Sequence, residues 1–283
     1  MYFLIVTSLL WAFSFGLIKH HLSHVDPSFV AFARLALAAM LFLPWLRFAR
    51  ARLRLIARLC VLGAIEFGLM YLLYLEAFRS LQAYQVALLT IVTPIWVCLS
   101  EDILCRTFSW RPILAAGLAI IGTAIALGGA GLGRAPWHGI LLIQASNVCF
   151  AFGQVWYRRL RQKDHSFDER TLFGWLYLGA VALIVPLVFT RLPTELTRLS
   201  LDESLVILYL GLIASGVGFF LWNYGASRVP AAVLAVMNNA KTPLGLVVSL
   251  VVFGESVRLA RVVVGGVLIV LATVYAQRAS KVA

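Results

Sequence analysis

Charge is scarce in this chain. Of 283 residues, 13% are Asp, Glu, Lys or Arg, and only 12 are acidic. A soluble domain carries about a quarter charged residues, so these cannot cover a water-facing shell. Cysteine is almost absent. Cys60, Cys98, Cys105 and Cys149 lie in or beside apolar runs with no CxxC pair, which points to small packing residues and away from a zinc site or a disulfide framework. There is no Gly-rich phosphate loop ending in Lys-Ser or Lys-Thr, no HExxH and no Ser/His/Asp grouping. These absences argue against ATP drive from this chain, zinc peptidase chemistry and triad hydrolysis. No cofactor, metal or ATPase subunit is implied.

What the chain has is apolar surface, with 62% hydrophobic residues. Apolar runs of near twenty residues recur between short polar or basic clusters, each long enough to cross about 30 Å of hydrocarbon. The expected fold is an all-α membrane protein with ten transmembrane helices, at 2–18, 28–47, 58–78, 83–103, 110–128, 137–157, 171–190, 204–224, 231–253 and 260–277. The first run has no basic region before it and no obvious cleavage site, so it reads as a span and not a signal peptide.

The net charge of +12 does not imply nucleic acid, because the basic residues sit in loops and no basic domain is inserted. Of 24 Lys and Arg, 15 fall in the even-to-odd connections and the C-terminal tail, and seven on the opposite side. The side rich in basic residues faces the cytoplasm, which places both termini there, in a bacterial inner membrane. The expected partners are the lipid bilayer and a small-molecule substrate. The two remaining cations, Arg34 and Lys241, lie inside spans.

The chain also repeats. "AFRSLQAYQVALLTIVTP" from Ala77 aligns without a gap on "ASRVPAAVLAVMNNAKTP" from Ala226, a spacing of 149. Two five-helix repeats, 1–130 and 131–283, are expected. Five spans per repeat make the halves enter the membrane in opposite senses, as in secondary transporters whose substrate sits between repeats at the midplane. Pro94 and Pro243 are equivalent in this register. Each removes a backbone hydrogen bond near mid-span, and such breaks survive in a membrane where they are buried or line a cavity.

Intramembrane charges are costly and mark pathways. Lys241, beside Asn238, Asn239 and the Pro243 break, is the first candidate for holding a substrate carboxylate. Arg34 is a second candidate or a tie to a neighbouring helix. Glu66, the sole acid near the middle of a span, reads as a proton carrier or as the counter-ion of Lys241. Asn147 reads as an isolated mid-membrane amide that contacts substrate or bridges helices. Trp11 and Tyr71 are candidate walls of an apolar pocket. Trp175 and Trp222, nearer span ends, read as interfacial belt residues, and Ser215 with Gly216 and Gly218 as helix packing.

"LLWAFSFG", "FARLALAAMLFLP" and "TPLGLVVSLVVFGE", in this order and register, resemble the EamA-type branch of the drug/metabolite transporter superfamily across essentially the whole chain. "QASNVCFAFGQVWYRRL", "ASGVGFFLWNYGASRV" and "LAVMNNAKTPLGLVV" are similar to its carboxylate, amino-acid and amine transporters, which include bacterial biotin importers. The resemblance implies a secondary transporter for a small carboxylate-bearing metabolite, with biotin uptake as the first expectation. Export of amino acids or amines is the alternative within transport; a membrane-embedded enzyme or assembly factor is the alternative outside it.

Overall fold

The computed structural model describes residues 2–48, 52–106, 136–163 and 168–229, with isolated positions between 110 and 121 and beyond 229. Among the described residues there is no strand. Seven helices among the described residues are long and apolar enough to cross a membrane: α1 (Tyr2–His21), α2 (Pro27–Trp45), α3 (Leu53–Ala77), α4 (Ala83–Cys105), α5 (Trp137–Lys163), α6 (Glu169–Val188) and α7 (Leu201–Ala226). They correspond to the first four expected spans and to the sixth, seventh and eighth. The spans expected at 110–128, 231–253 and 260–277 lie outside the described residues, apart from isolated helical positions such as Met237 and Asn238.

Local chemistry sets the helix ends. Asp26 accepts a hydrogen bond from the Phe29 amide at 2.9 Å, with Pro27 in the first turn of α2; both satisfy or remove donors that a helix start leaves open. Ser200 and Glu203 form a reciprocal capping box at the start of α7, and Gln82 and Gln85 do so at the start of α4.

Small residues set how closely the helices approach. A Cβ at Gly63 of α3 would lie 1.8 Å from the Leu176 carbonyl oxygen of α6. A Cβ at Gly179 of α6 would lie 2.0 Å from the Cys60 carbonyl oxygen of α3. The two backbones are in contact at both points, and any side chain would force them apart.

Several helices depart from regular α geometry where the site forms. A turn at Phe13 interrupts α1 between Ala12 and Ser14. α4 breaks at Ile91 and Val92, with Pro94 in the first turn of its second half, Thr93–Cys105. π-helical segments run through Ala64–Leu69 of α3 and Tyr209–Val217 of α7. Adding the repeat spacing of 149 to 64–69 gives 213–218, so the two segments overlap in the repeat register. Such insertions are uncommon and gather at functional positions.

Candidate functional site

Residues that flank these irregular turns, Ser14, Met70, Thr90 and Phe219, help to line a cavity of about 70 Å³, to which α1, α2, α3, α4, α5 and α7 all contribute. Trp11, Phe150 and Phe219 form an aromatic wall, and Arg34, Ser14, Thr90, Ser146 and Asn147 supply polar groups.

Arg34 of α2 is 2% exposed. Its Nε donates to Ser215 Oγ at 3.2 Å and its Nη2 to the Tyr71 hydroxyl at 2.6 Å. The guanidinium carbon lies 4.1 Å from the Tyr71 ring centroid. These contacts hold the planar fork in one orientation. Its Nη1 has no hydrogen-bond partner among the described residues, and neither does Ser14 Oγ. A guanidinium fixed on one side and open on the other is suited to an incoming carboxylate, which it meets with charge and direction together.

The π segment of α7 makes this arrangement possible. A π turn displaces carbonyls from the α ladder. Ser215 Oγ donates five residues back to Leu210 O at 2.7 Å. Trp11 Nε1 donates to Ala214 O at 2.8 Å, and the Tyr177 hydroxyl to Ser215 O at 2.7 Å. Trp11 is thus fixed as a wall by its indole N–H. The break in α4 plays a similar part on the other side: Leu89 O accepts from Asn147 Nδ2 at 3.0 Å and from Gln144 Nε2 at 3.2 Å.

A second polar group lies beyond the aromatic wall. Glu66, Asn223, Gln154 and Asn238 are each 0% exposed. Asn223 Nδ2 donates to Glu66 Oε1 at 2.8 Å, and Trp222 Nε1 donates to Gln154 Oε1 at 3.1 Å. Asn238 Nδ2 donates to the same Gln154 oxygen at 3.2 Å and to Leu234 O at 3.0 Å.

Four of the residues singled out from sequence, Trp11, Arg34, Tyr71 and Asn147, therefore come together around one cavity. Glu66 does not line it, and Asn238 belongs with Gln154 in the second group. Asn239, Lys241 and Pro243 lie outside the described residues, and so does any pairing of Glu66 with Lys241. Trp222 is a correction. It is fully buried and 5.1 Å from Trp11 by ring centroids, so it is a core residue and not an interfacial one. Ser215, which reads from sequence as packing, is the hydroxyl that orients Arg34. Asn147 is not isolated either, since Gln144, Gln154 and Asn223 are amides within spans too. Their polarity was a signal available in the sequence.

A family model described as the EamA-like transporter family matches residues 1–128 and 137–276 of this chain. The chain is 36% identical over 285 residues to the biotin transporter of Salmonella typhimurium strain LT2, covering 98% of this chain and 93% of that one. It is 35% identical over 286 residues to the biotin transporter of Escherichia coli strain K12, with the same coverage of 98% and 93%. A probable biotin transporter of Pseudomonas aeruginosa is 37% identical over 274 residues, covering 95% of each chain. A crystal structure at 20% identity superposes with a TM-score of 0.67 over 97% of this chain and 94% of its own, a likeness of fold alone.

Proposed function

Because the chain belongs to the EamA-like transporter family, we propose that it imports biotin across the bacterial inner membrane. It is a multi-pass membrane transporter, and the names of its relatives supply the substrate. The observation that carries the reading is Arg34: a buried cation that lines the cavity walled by Trp11, Phe150 and Phe219 and whose Nη1 has no hydrogen-bond partner among the described residues. Biotin joins a carboxylate to an aliphatic chain and a flat bicyclic ring, and those walls and that cation complement its parts. At about 70 Å³ the cavity has to widen to admit such a molecule. The breaks in α1 and α4 and the π segments of α3 and α7 are the places where a helix can bend with least loss of backbone bonding.

Two inverted five-helix repeats, 1–130 and 131–283, complete this reading, supported by the 149-residue register and the overlap of the π segments. The basic loops support cytoplasmic termini. Reporters fused after Lys163 should report cytoplasm and those after His24 periplasm, and a periplasmic Lys163 reverses the orientation. The substrate is tested by expressing the chain in a biotin-auxotrophic, uptake-deficient bacterium. Growth on trace biotin, with saturable uptake of labelled biotin, is the expected result. Absence of both, with the protein present in the membrane, refutes biotin import.

A further inference from the structure

We infer that Asn223, Gln154 and Asn238 form the subsite that reads the ureido ring of the substrate, an inference that rests on the biotin reading above. All three side chains are fully buried. For two of them, their neighbours leave no choice of orientation. Trp222 Nε1 can only donate, so the Gln154 atom 3.1 Å away is the oxygen. Leu234 O can only accept, so the Asn238 atom 3.0 Å away is the nitrogen. Asn223 directs its nitrogen to Glu66 Oε1. Gln154 Nε2, Asn223 Oδ1 and Asn238 Oδ1 are then left without a partner among the described residues. The three amides thus leave one donor nitrogen and two acceptor oxygens open, beside the open Oε2 of Glu66, in a buried site where unmade hydrogen bonds are costly and rare. A cyclic ureido group is their complement, with one carbonyl and two N–H groups.

The position suits this role as well as the count. Trp11 lines the cavity of Arg34 and lies 5.1 Å from Trp222, which bonds Gln154 and precedes Asn223 in the chain. Phe219 lies 4.8 Å from Trp11 and Phe150 6.2 Å from Trp222. The amide group is tied to the Glu66 helix by close packing, since a Cβ at Gly153 would meet Glu66 Cβ at 2.4 Å. A layer of aromatic rings that includes Trp11 and Trp222 therefore stands between the cavity of Arg34 and the amides. A molecule with a carboxylate, an aliphatic chain and a ureido ring has the same sequence of polar, apolar and polar parts. With the carboxylate on Arg34, the chain passes the rings and the ureido edge meets the amides once that layer parts. A carboxylic acid of similar shape without a ureido group leaves all three amide atoms unanswered, which makes this subsite the basis of selection.

The test is competition for labelled biotin uptake by the full chain in proteoliposomes. The competitors are biotin and its carbamate analogue, in which oxygen replaces one ureido N–H at nearly the same size. In the unaltered protein the analogue should compete about tenfold less well or worse, because an N–H donor is lost and two acceptors are set face to face. That penalty should disappear in one of Asn223→Leu and Asn238→Leu, the one that removes the acceptor facing the replaced group, and persist in the other. Equal competition by both ligands in the unaltered protein overturns the inference while leaving biotin transport standing, and this comparison does not require either variant to fold. A penalty that survives in both folded variants also overturns it, because the ureido edge is then read elsewhere. Failure of biotin itself to compete refutes the substrate reading, and the subsite with it.

Discussion

Arg34→Gln is expected to weaken biotin binding by about 30-fold or more while changing the binding of biotin amide little. Removing one member of a buried, hydrogen-bonded charge pair costs about 2 kcal/mol or more, which is that ratio of affinities. The amide ligand carries no charge, so it has no such pair to lose. Arg34→Lys should also be impaired, because an ammonium carries its three donors on one nitrogen and cannot reproduce the spread by which Nε meets Ser215, Nη2 meets Tyr71 and Nη1 stays open. Titration of acid and amide against both proteins decides the matter. Equal losses for the two ligands would mean that Arg34 ties α2 to α3 and α7 and does not hold the carboxylate. Lys241→Met is the companion measurement, since Lys241 is the other cation within a span. If the loss specific to the acid follows Lys241 and not Arg34, the carboxylate site moves to the ninth expected span.

Glu66→Gln should abolish accumulation of biotin driven by a proton gradient, while exchange of labelled for unlabelled biotin continues. Glu66 is completely buried, with Oε1 on Asn223 and Oε2 without a partner among the described residues. A buried charge with no neutralising partner is strongly unfavourable. A carboxyl that binds and releases a proton as the path changes access avoids that state at each step. Glutamine keeps the shape and the Asn223 contact but carries no proton. Proteoliposomes containing the variant should then reach no internal concentration above the external one, whatever the imposed gradient. Exchange, which needs no net proton movement, should remain. Among the described residues, Tyr177 of α6 stacks on Phe67, the neighbour of Glu66 in the chain, with ring centroids 4.9 Å apart. Tyr177→Phe is therefore a useful control and should still accumulate biotin. Unchanged accumulation by Glu66→Gln would exclude Glu66 as the carrier and leave its pairing with Lys241 as the reason for its place.

The repeated apolar runs determine by themselves that this is a membrane protein, because hydrocarbon thickness sets a length that composition either meets or does not. Arg34, Glu66 and Asn147 stand out in those runs for a related reason: a polar group in hydrocarbon needs a purpose or a partner. The sequence could not say which of these groups meet. That depends on the rotation of each helix about its axis and on breaks and π turns, which shift every later side chain around the helix. Arg34 and Tyr71 are 37 residues apart, and their junction at Ser215 exists because the π segment of α7 brings that hydroxyl round to them. The same physics separates Glu66 from the cavity and places it with Asn223, 157 residues away. Trp222 shows the limit most directly. Its position near a span end suggests the interface, yet α7 turns it inward, where its N–H has Gln154 to answer it. Burial within one helix follows a period that can be read along the chain, whereas the partner across the bundle is decided only when the helices have packed.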